Sequence, residues 1–412
     1  MNAFIQNMST QRKLAVIILL AFIVTQMLAR QSPVLSQLED ACDSPANPIV
    51  AENCLTGNPA IEWEINGAGD ASVQGFATNI SVNRGGTIGF KIGNTNPADG
   101  GSQIDPVAPP AFRIDIYRLG YYNGVGARLV HTIADVDTVE TNQPACNLST
   151  IEMGGGATTS GQLLDCGNWS VSASWSVPAG ATSGVYIARP TRIDNGGASH
   201  IPFIVRDDAS NSDLLFQTSD TTWQSYNPYG GYNAYGSSGA TMAEKLSYNR
   251  PFTTRGAELE NYLFNAEYPM IRWLERNGFD VSYMSAVDVE RYASLLLNHK
   301  VYLSVGHDEY WSQGRRDAVT ATRDAGKHLA FFSANEIYWK IRWEASTADG
   351  AARTTAPRWS TRKAAPPPAA RSSTATATTT TCAIRALFGP ANGARRPDLP
   401  RRIRSAARLA GG

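Results

Sequence analysis

The spacing of apolar positions changes twice along this chain. From Ile61 the period is two: Ile80-Ser-Val82, Thr87–Ile92, Phe112–Tyr117, Trp169–Trp175 and Gly184–Ile187 alternate apolar and polar residues between Gly, Asn and Pro punctuation. Alternation of this kind predicts half-buried antiparallel strands, and several at this spacing predict a β-sandwich over 61–207. After about 208 short unbroken apolar runs take over. Asp213–Thr218, Val281–Tyr283, Lys300–Val305 and His328–Phe332 read as buried strands. Between them Glu267–Gly278, Val289–Leu297 and Ser312–Ala325 carry helical spacing, and Gly278 and Gly326 act as stops. Strand–helix alternation predicts a parallel α/β unit over 208–350.

The flanks differ from this core. Arg12-Lys13 precede a run of weakly polar to apolar residues, 14–29, that ends before Arg30. A basic stretch followed by a short apolar one predicts a secretory signal or an uncleaved membrane anchor over 1–30, hence an exported chain, whether periplasmic, secreted or anchored. Residues 31–60 read as a Pro/Asn/Ser-rich linker. From 351 the chain has no apolar period, as in Ala365-Pro-Pro-Pro-Ala and Thr374–Thr381. That composition predicts disorder. The abrupt stop of a strong α/β pattern favours a frameshifted or aberrant end, with a basic interaction tail as the alternative.

Charge and cysteine usage sharpen this reading. Residues 351–412 hold twelve basic residues and one acid out of totals of 36 and 36, so 1–350 carries 24 basic against 35 acidic residues, a net −11. An acidic body argues against nucleic acid as a partner. Export permits disulfides, and Cys42–Cys54 with Cys146–Cys166 is the most local of three pairings, leaving Cys382 over. No C-x-x-C spacing is present, which argues against zinc.

The candidate chemistry follows the predicted strands. Val305-Gly-His-Asp-Glu-Tyr-Trp311 leaves one directly, where open α/β sheets collect ligands. His307 and Glu309, two apart, face the same way in an extended segment, as a base with its orienter or as a metal pair; a polar helix-capping turn is the alternative. The loop Trp223–Tyr235 places Tyr226, Tyr229, Tyr232 and Tyr235 at every third position, as oxygen ligands or as packing. Arg250 reads as half of a structural ion pair or as an anion site. Tyr268, at a helix start, reads as a phenolate or as a core residue. Asn335 and Glu336 fall on the rim beyond another strand, as supporting groups or a cap. No G-x-S-x-G, Walker, H-E-x-x-H or dinucleotide motif is found.

Taken together, Trp223-Gln-Ser-Tyr-Asn-Pro-Tyr-Gly-Gly, Ser247-Tyr-Asn-Arg-Pro-Phe, Glu267-Tyr-Pro-Met-Ile-Arg-Trp-Leu-Glu, Val305-Gly-His-Asp-Glu-Tyr-Trp and Phe332-Ser-Ala-Asn-Glu resemble the N,N-dimethylformamidase large (β) subunit family in its C-terminal domain. Gln74–Val82 and Ile114–Gly124 resemble the β-module before that domain, so the likeness spans about 61–350. The resemblance implies a glutamine-amidotransferase-like α/β fold, here cut short, and hydrolysis of a C–N bond in a small amide. It implies iron (Fe3+) held by two tyrosines and a glutamate, here Tyr226, Tyr268 and Glu309, with Tyr229 as a rival to Tyr226. His307 would be the proton shuttle. Asn227, Tyr229, Asp308, Asn335 and Glu336 would surround the centre or line the substrate pocket. A non-catalytic carbohydrate- or cell-surface-binding protein and an inactive truncated product remain as alternatives, and a homo-oligomer is left open.

Overall fold

The computed structural model describes residues 41–93, 95–96, 102–103, 111–136, 143–153, 157–243, 245–344 and 358–361. The expected signal or anchor at 1–30, the start of the expected linker, and the tail from 351 apart from 358–361, with Cys382, lie outside the described residues. Among the described residues no helix is long and apolar enough to cross a membrane.

The alternating half forms two sheets. Gln74–Ala77, Thr87–Gly93 and Ala173–Ser176 make a three-stranded antiparallel sheet. A five-stranded sheet runs in the order Ser81–Asn83, Ile201–Arg206, Gly184–Arg192, Phe112–Leu119, Ala127–Val136. Phe90 and Trp175 from the first meet Phe203 from the second at ring distances of 5.6 and 6.1 Å. The expectation of half-buried strands gives way here. Tyr186, Ala188, Phe203 and Val205 face the core shared with the smaller sheet, while Val185, Ile187 and Ile204 face a second core that includes Phe216, Ile271, Leu274 and Tyr283. The five-stranded sheet is thus buried on both faces, because the α/β half packs on its back. Trp169 also departs from expectation: only Ala173–Ser176 joins the ladder, and the indole Nε1 of Trp169 donates to the Pro144 carbonyl at 2.9 Å.

The second half centres on four parallel strands in the order Val281–Met284, Leu214–Gln217, Val301–His307, His328–Ala334. Helices Tyr268–Arg276 and Gln313–Asp324 sit where the periodicity places them. The helix expected at Val289–Leu297 instead begins at Ala286, because Ser285 and Asp288 form a capping box, and it breaks into a 3-10 turn over Ala293–Asn298. With this strand order the chain reverses direction of winding between Leu214–Gln217 and Val301–His307. A crevice opens at such a switch point, beyond the strands' carboxyl ends. A second sheet, in the order Lys245–Ser247, Arg358–Thr361, Trp339–Glu344, Tyr310–Ser312, continues from that edge.

Both local disulfides form, Cys42–Cys54 and Cys146–Cys166. The described part of the expected linker is structured. Asn47 caps the helix Pro48–Asn53 by accepting from the Ile49 and Val50 amides, and Ile49 is buried. This arm is fixed by charge as well. Arg118 is fully buried and grips Glu275 through its two terminal guanidinium nitrogens, at 2.8 and 2.9 Å. Glu275 also accepts from the Tyr283 hydroxyl and Asn53 Nδ2, each at 2.8 Å. One carboxylate therefore joins the arm, the five-stranded sheet and the helix of the α/β half.

A second buried acid sits under the switch point. Glu267 Oε1 accepts from the Ser219 amide and Trp223 Nε1, both at 2.9 Å, and from the Ser219 hydroxyl; Oε2 has no hydrogen-bond partner. Burial pushes its pKa up from 4.5 to about 8 despite those donors. Burial likewise lifts Asp220 from 3.8 to about 6.

Two predictions follow from these buried carboxyls. Glu275→Gln leaves the Arg118 charge buried without its counter-ion and should cost about 3–5 kcal/mol in urea unfolding. A loss below about 1 kcal/mol would place the pair among those that contribute little. For Glu267 the folded pKa lies above the unfolded one, so the fold holds a proton that the unfolded chain releases. Its contribution is complete below about pH 4.5 and fades as pH rises through about 8, with Asp220 adding the same sign between 3.8 and about 6. Glu267→Gln keeps the acceptor and removes the ionisation, so it should flatten the fall in unfolding free energy from about pH 5 to 8. A variant that loses stability with pH as steeply as the parent contradicts this.

Candidate active site

The site begins where the strand Val301–His307 ends. Gly306 has φ +97°, and a Cβ there would come within 3.0–3.1 Å of Ser219 Oγ, Ala266 Cβ and Glu267 Cδ. Glycine is needed both for the turn and for the close approach. The next three residues alternate. Asp308 points inward, fully buried, and its carboxylate accepts from Arg315 and from the Ser304 hydroxyl at 2.7 Å. His307 and Glu309 face the other way together, with Nε2 and Oε2 3.2 Å apart.

Around Glu309 the structure gathers phenols. Tyr235 donates to Oε1 at 2.7 Å, Tyr226 donates to Oε2 at 3.2 Å, and Tyr310 donates to the Tyr235 oxygen. The Tyr226 and Tyr235 rings stack at 4.6 Å. Burial, reinforced by the Glu309 charge, pushes the Tyr226 and Tyr310 phenols above the ordinary tyrosine range, and burial does the same to Tyr235. They therefore stand as O–H donors. His307 is held from both sides. Nδ1 lies 2.6 Å from Asn261 Oδ1, and Nε2 lies 2.9 Å from Asn335 Nδ2. With an acceptor at Nδ1, that nitrogen carries a proton. Nε2 is then the acceptor: it takes a hydrogen from Asn335 Nδ2 and lies 3.2 Å from the Glu309 carboxylate.

The tyrosine loop is positioned by Arg250. Its fully buried guanidinium donates to the Gln224, Tyr229 and Tyr232 carbonyls at 2.8, 3.3 and 2.7 Å and to Gln224 Oε1 at 3.1 Å. The expectation of an ion pair or an anion site is corrected: its partners are neutral oxygens, and burial pulls its pKa down to about 9.

The other expected residues sort by place. Tyr268 stands apart from Glu309: its hydroxyl donates to the Gly126 carbonyl at 2.9 Å, and its ring packs against Trp63 and Phe264. Tyr229 is fully buried beside Leu164, Trp169 and the Cys146–Cys166 bridge, so it anchors the loop away from the carboxylate. Asn227 braces the same loop, donating to the Pro251 carbonyl at 2.8 Å and accepting from the Thr253 amide at 3.0 Å. Asn335 joins His307. Glu336 turns inward to Ser304 and Ser333, and burial followed by the charge of Asp308 lifts its pKa to about 9. Two residues of the constellation, Tyr310 and Asn261, were not singled out by the sequence: Tyr310 directly follows Glu309, and Asn261 carries no signal. Tyr235 was one of the four loop tyrosines read as oxygen ligands or packing but was not placed in the ligand set.

Among the described residues no group of three or more His, Cys, Asp or Glu side chains could hold a metal ion. The converging donor set is phenolic instead: Tyr226, Tyr235 and Glu309. Two phenols and a carboxylate are hard oxygen donors that suit a small, highly charged cation.

Comparison with known proteins agrees with the motifs. Residues 113–398 match the family model described as N,N-dimethylformamidase beta subunit-like, C-terminal. The match starts later than the expected likeness and extends past 350, into the segment that composition reads as aberrant. No curated protein matches the chain. A solved structure of the cellulose-active LPMO CelS2 with copper is 16% identical over 31% of this chain and 52% of its own, with a TM-score of 0.16. A Paenibacillus sp. cycloisomaltooligosaccharide glucanotransferase complexed with cycloisomaltoheptaose is 13% identical over 53% of this chain and 27% of its own, with a TM-score of 0.18. The chain thus spans about half and about a quarter of those two proteins, and TM-scores this low carry no argument. The family match covers more than half of the chain and agrees with the ordered motifs that meet at His307 and Glu309, and on that evidence the chain belongs to the N,N-dimethylformamidase beta subunit-like, C-terminal family.

Proposed function

We propose that this chain is an exported amidohydrolase that cleaves the C–N bond of a small amide at the His307–Glu309 centre. The observation that carries the reading is the convergence of Tyr226, Tyr235 and Glu309 beside His307 at the switch point of the parallel sheet. We take the three- and five-stranded sheets as a β-sandwich domain over 61–207. The parallel sheet belongs in this reading to a glutamine-amidotransferase-like domain over 208–350. Two disulfides support an oxidising compartment.

Tyr226, Tyr235 and Glu309 fit Fe3+ by donor chemistry, with Tyr235 in place of Tyr268. When bound, such an ion supplies Lewis acidity toward an amide carbonyl. The chain's own groups handle the protons. His307 Nε2 takes a proton from the attacking water and returns it to the departing amine nitrogen. Asn261 fixes the ring by accepting from Nδ1, and Asn335 holds its other edge. Arg250 and Asn227 keep the tyrosine loop against Glu309.

Full-length protein purified after aerobic growth with iron should contain iron and absorb visible light through tyrosinate charge transfer. Tyr235→Phe and Glu309→Ala should each lower iron content by roughly tenfold or more. Tyr268→Phe should leave it intact. A colourless, iron-free parent protein sinks the reading, and loss of iron in Tyr268→Phe with retention in Tyr235→Phe sinks this ligand set.

A further inference from the structure

We infer that the turn 335–338 is the wall of the candidate active site that receives the substrate, and that it selects amides bearing an apolar substituent. The inference rests on the proposed function for the word substrate, but its observations are separate. The turn closes through a hydrogen bond from the Tyr338 amide to the Asn335 carbonyl at 3.1 Å. It lies directly along the catalytic segment: the Ile337 amide donates to the Asp308 carbonyl at 3.3 Å, the Trp339 amide donates to the Glu309 carbonyl at 2.8 Å, and Asn335 Nδ2 reaches His307.

Its residue choice is unusual. Asn335 has φ +51° and Ile337 φ +59°. Ile337 holds the third position of the turn, where a positive φ is normally met by Gly or Asn, and a β-branched residue there is a conformational outlier. Local backbone preference therefore does not explain this isoleucine. The turn also reverses the usual partition of polar and apolar side chains. Glu336 turns inward, against Ser304 and Ser333. Ile337 and Tyr338 face solvent at 40% and 68% exposure. Strained backbone that persists beside reacting groups is characteristic of ligand clamps. Asn335 ties the turn to His307, and the exposed Ile337 and Tyr338 follow it by two and three residues, so an amide whose carbonyl and nitrogen meet His307 and Glu309 would lay its substituent over them.

The test compares benzamide with acetamide, which share the amide and differ in the apolar group. Calorimetric titration of the full chain should show benzamide binding about tenfold or more tighter, as burial of a phenyl ring requires. Ile337→Gly and Tyr338→Ser should each reduce that preference several-fold. Glycine adopts φ +59° freely, so Ile337→Gly should keep or raise Tm, which separates a lost wall from a lost fold. An equal preference in parent and variants overturns the inference, as does equal affinity of the parent for the two amides. Turnover is read separately. Binding preference without hydrolysis of either amide defeats the proposed function and leaves the wall standing. Hydrolysis of both amides without binding preference does the reverse, and no binding to either overturns both.

Discussion

The site depends on a charge turned away from it. Asp308 is fully buried and paired with Arg315, which is itself almost inaccessible. Removing either partner would leave a lone charge in the interior, so the pair holds this segment with little freedom. Arg315 also donates to the Gln217 side chain and to the Tyr310 carbonyl. One guanidinium thereby ties the end of Leu214–Gln217, the end of Val301–His307 and the start of Tyr310–Ser312. With Asp308 locked inward, the twofold period of extended chain sends His307 and Glu309 outward together. The geometry of the candidate site follows from the residue between them.

The tyrosine loop is fixed by the opposite device, neutral acceptors around a buried cation. Arg250 spans the loop's carbonyls, and Gly230, at φ +73°, lies where a Cβ would strike the Leu164 side chain at 1.9 Å. Leu164 belongs to the same cluster as Tyr229 and the Cys146–Cys166 bridge. The loop therefore has two ends of different character. Tyr229 is driven into the β half, and Tyr226 and Tyr235 are left to meet Glu309. A single three-residue tyrosine spacing supplies both the anchor and the donors.

This division explains what was legible in the sequence. The parallel strands were readable because strands covered on both faces become short apolar runs, as at Val301–Val305. His307 and Glu309 were readable because a period of two needs no knowledge of the rest of the fold. Tyr268 was misplaced because its helix start is visible in sequence but its packing partner, Gly126 in the β half, is not. Asn261 comes from a short irregular stretch with no periodicity, so only the tertiary structure brings it to His307. The double burial of the five-stranded sheet was hidden for a similar reason. Ser81, Thr191 and Arg206 on its second face are buried polar residues, with Arg206 joined to Ser81 and Asp288, and polar residues in alternation read as solvent-facing.

The two kinds of buried group also bear on how the centre can work. The phenols of Tyr226 and Tyr235 both donate to one carboxylate, so without a cation the charge of Glu309 is already compensated by hydrogen bonds. A cation entering the same space would displace those protons, and affinity for it would rise as they are released. The scaffold need not move for that exchange, since Arg250, Asp308 and Arg315 hold the donor atoms through groups that touch neither phenol. Preorganisation of this sort keeps reorganisation small when charge develops. It places the functional burden on the turn 335–338, the part of the site that is both exposed and conformationally strained.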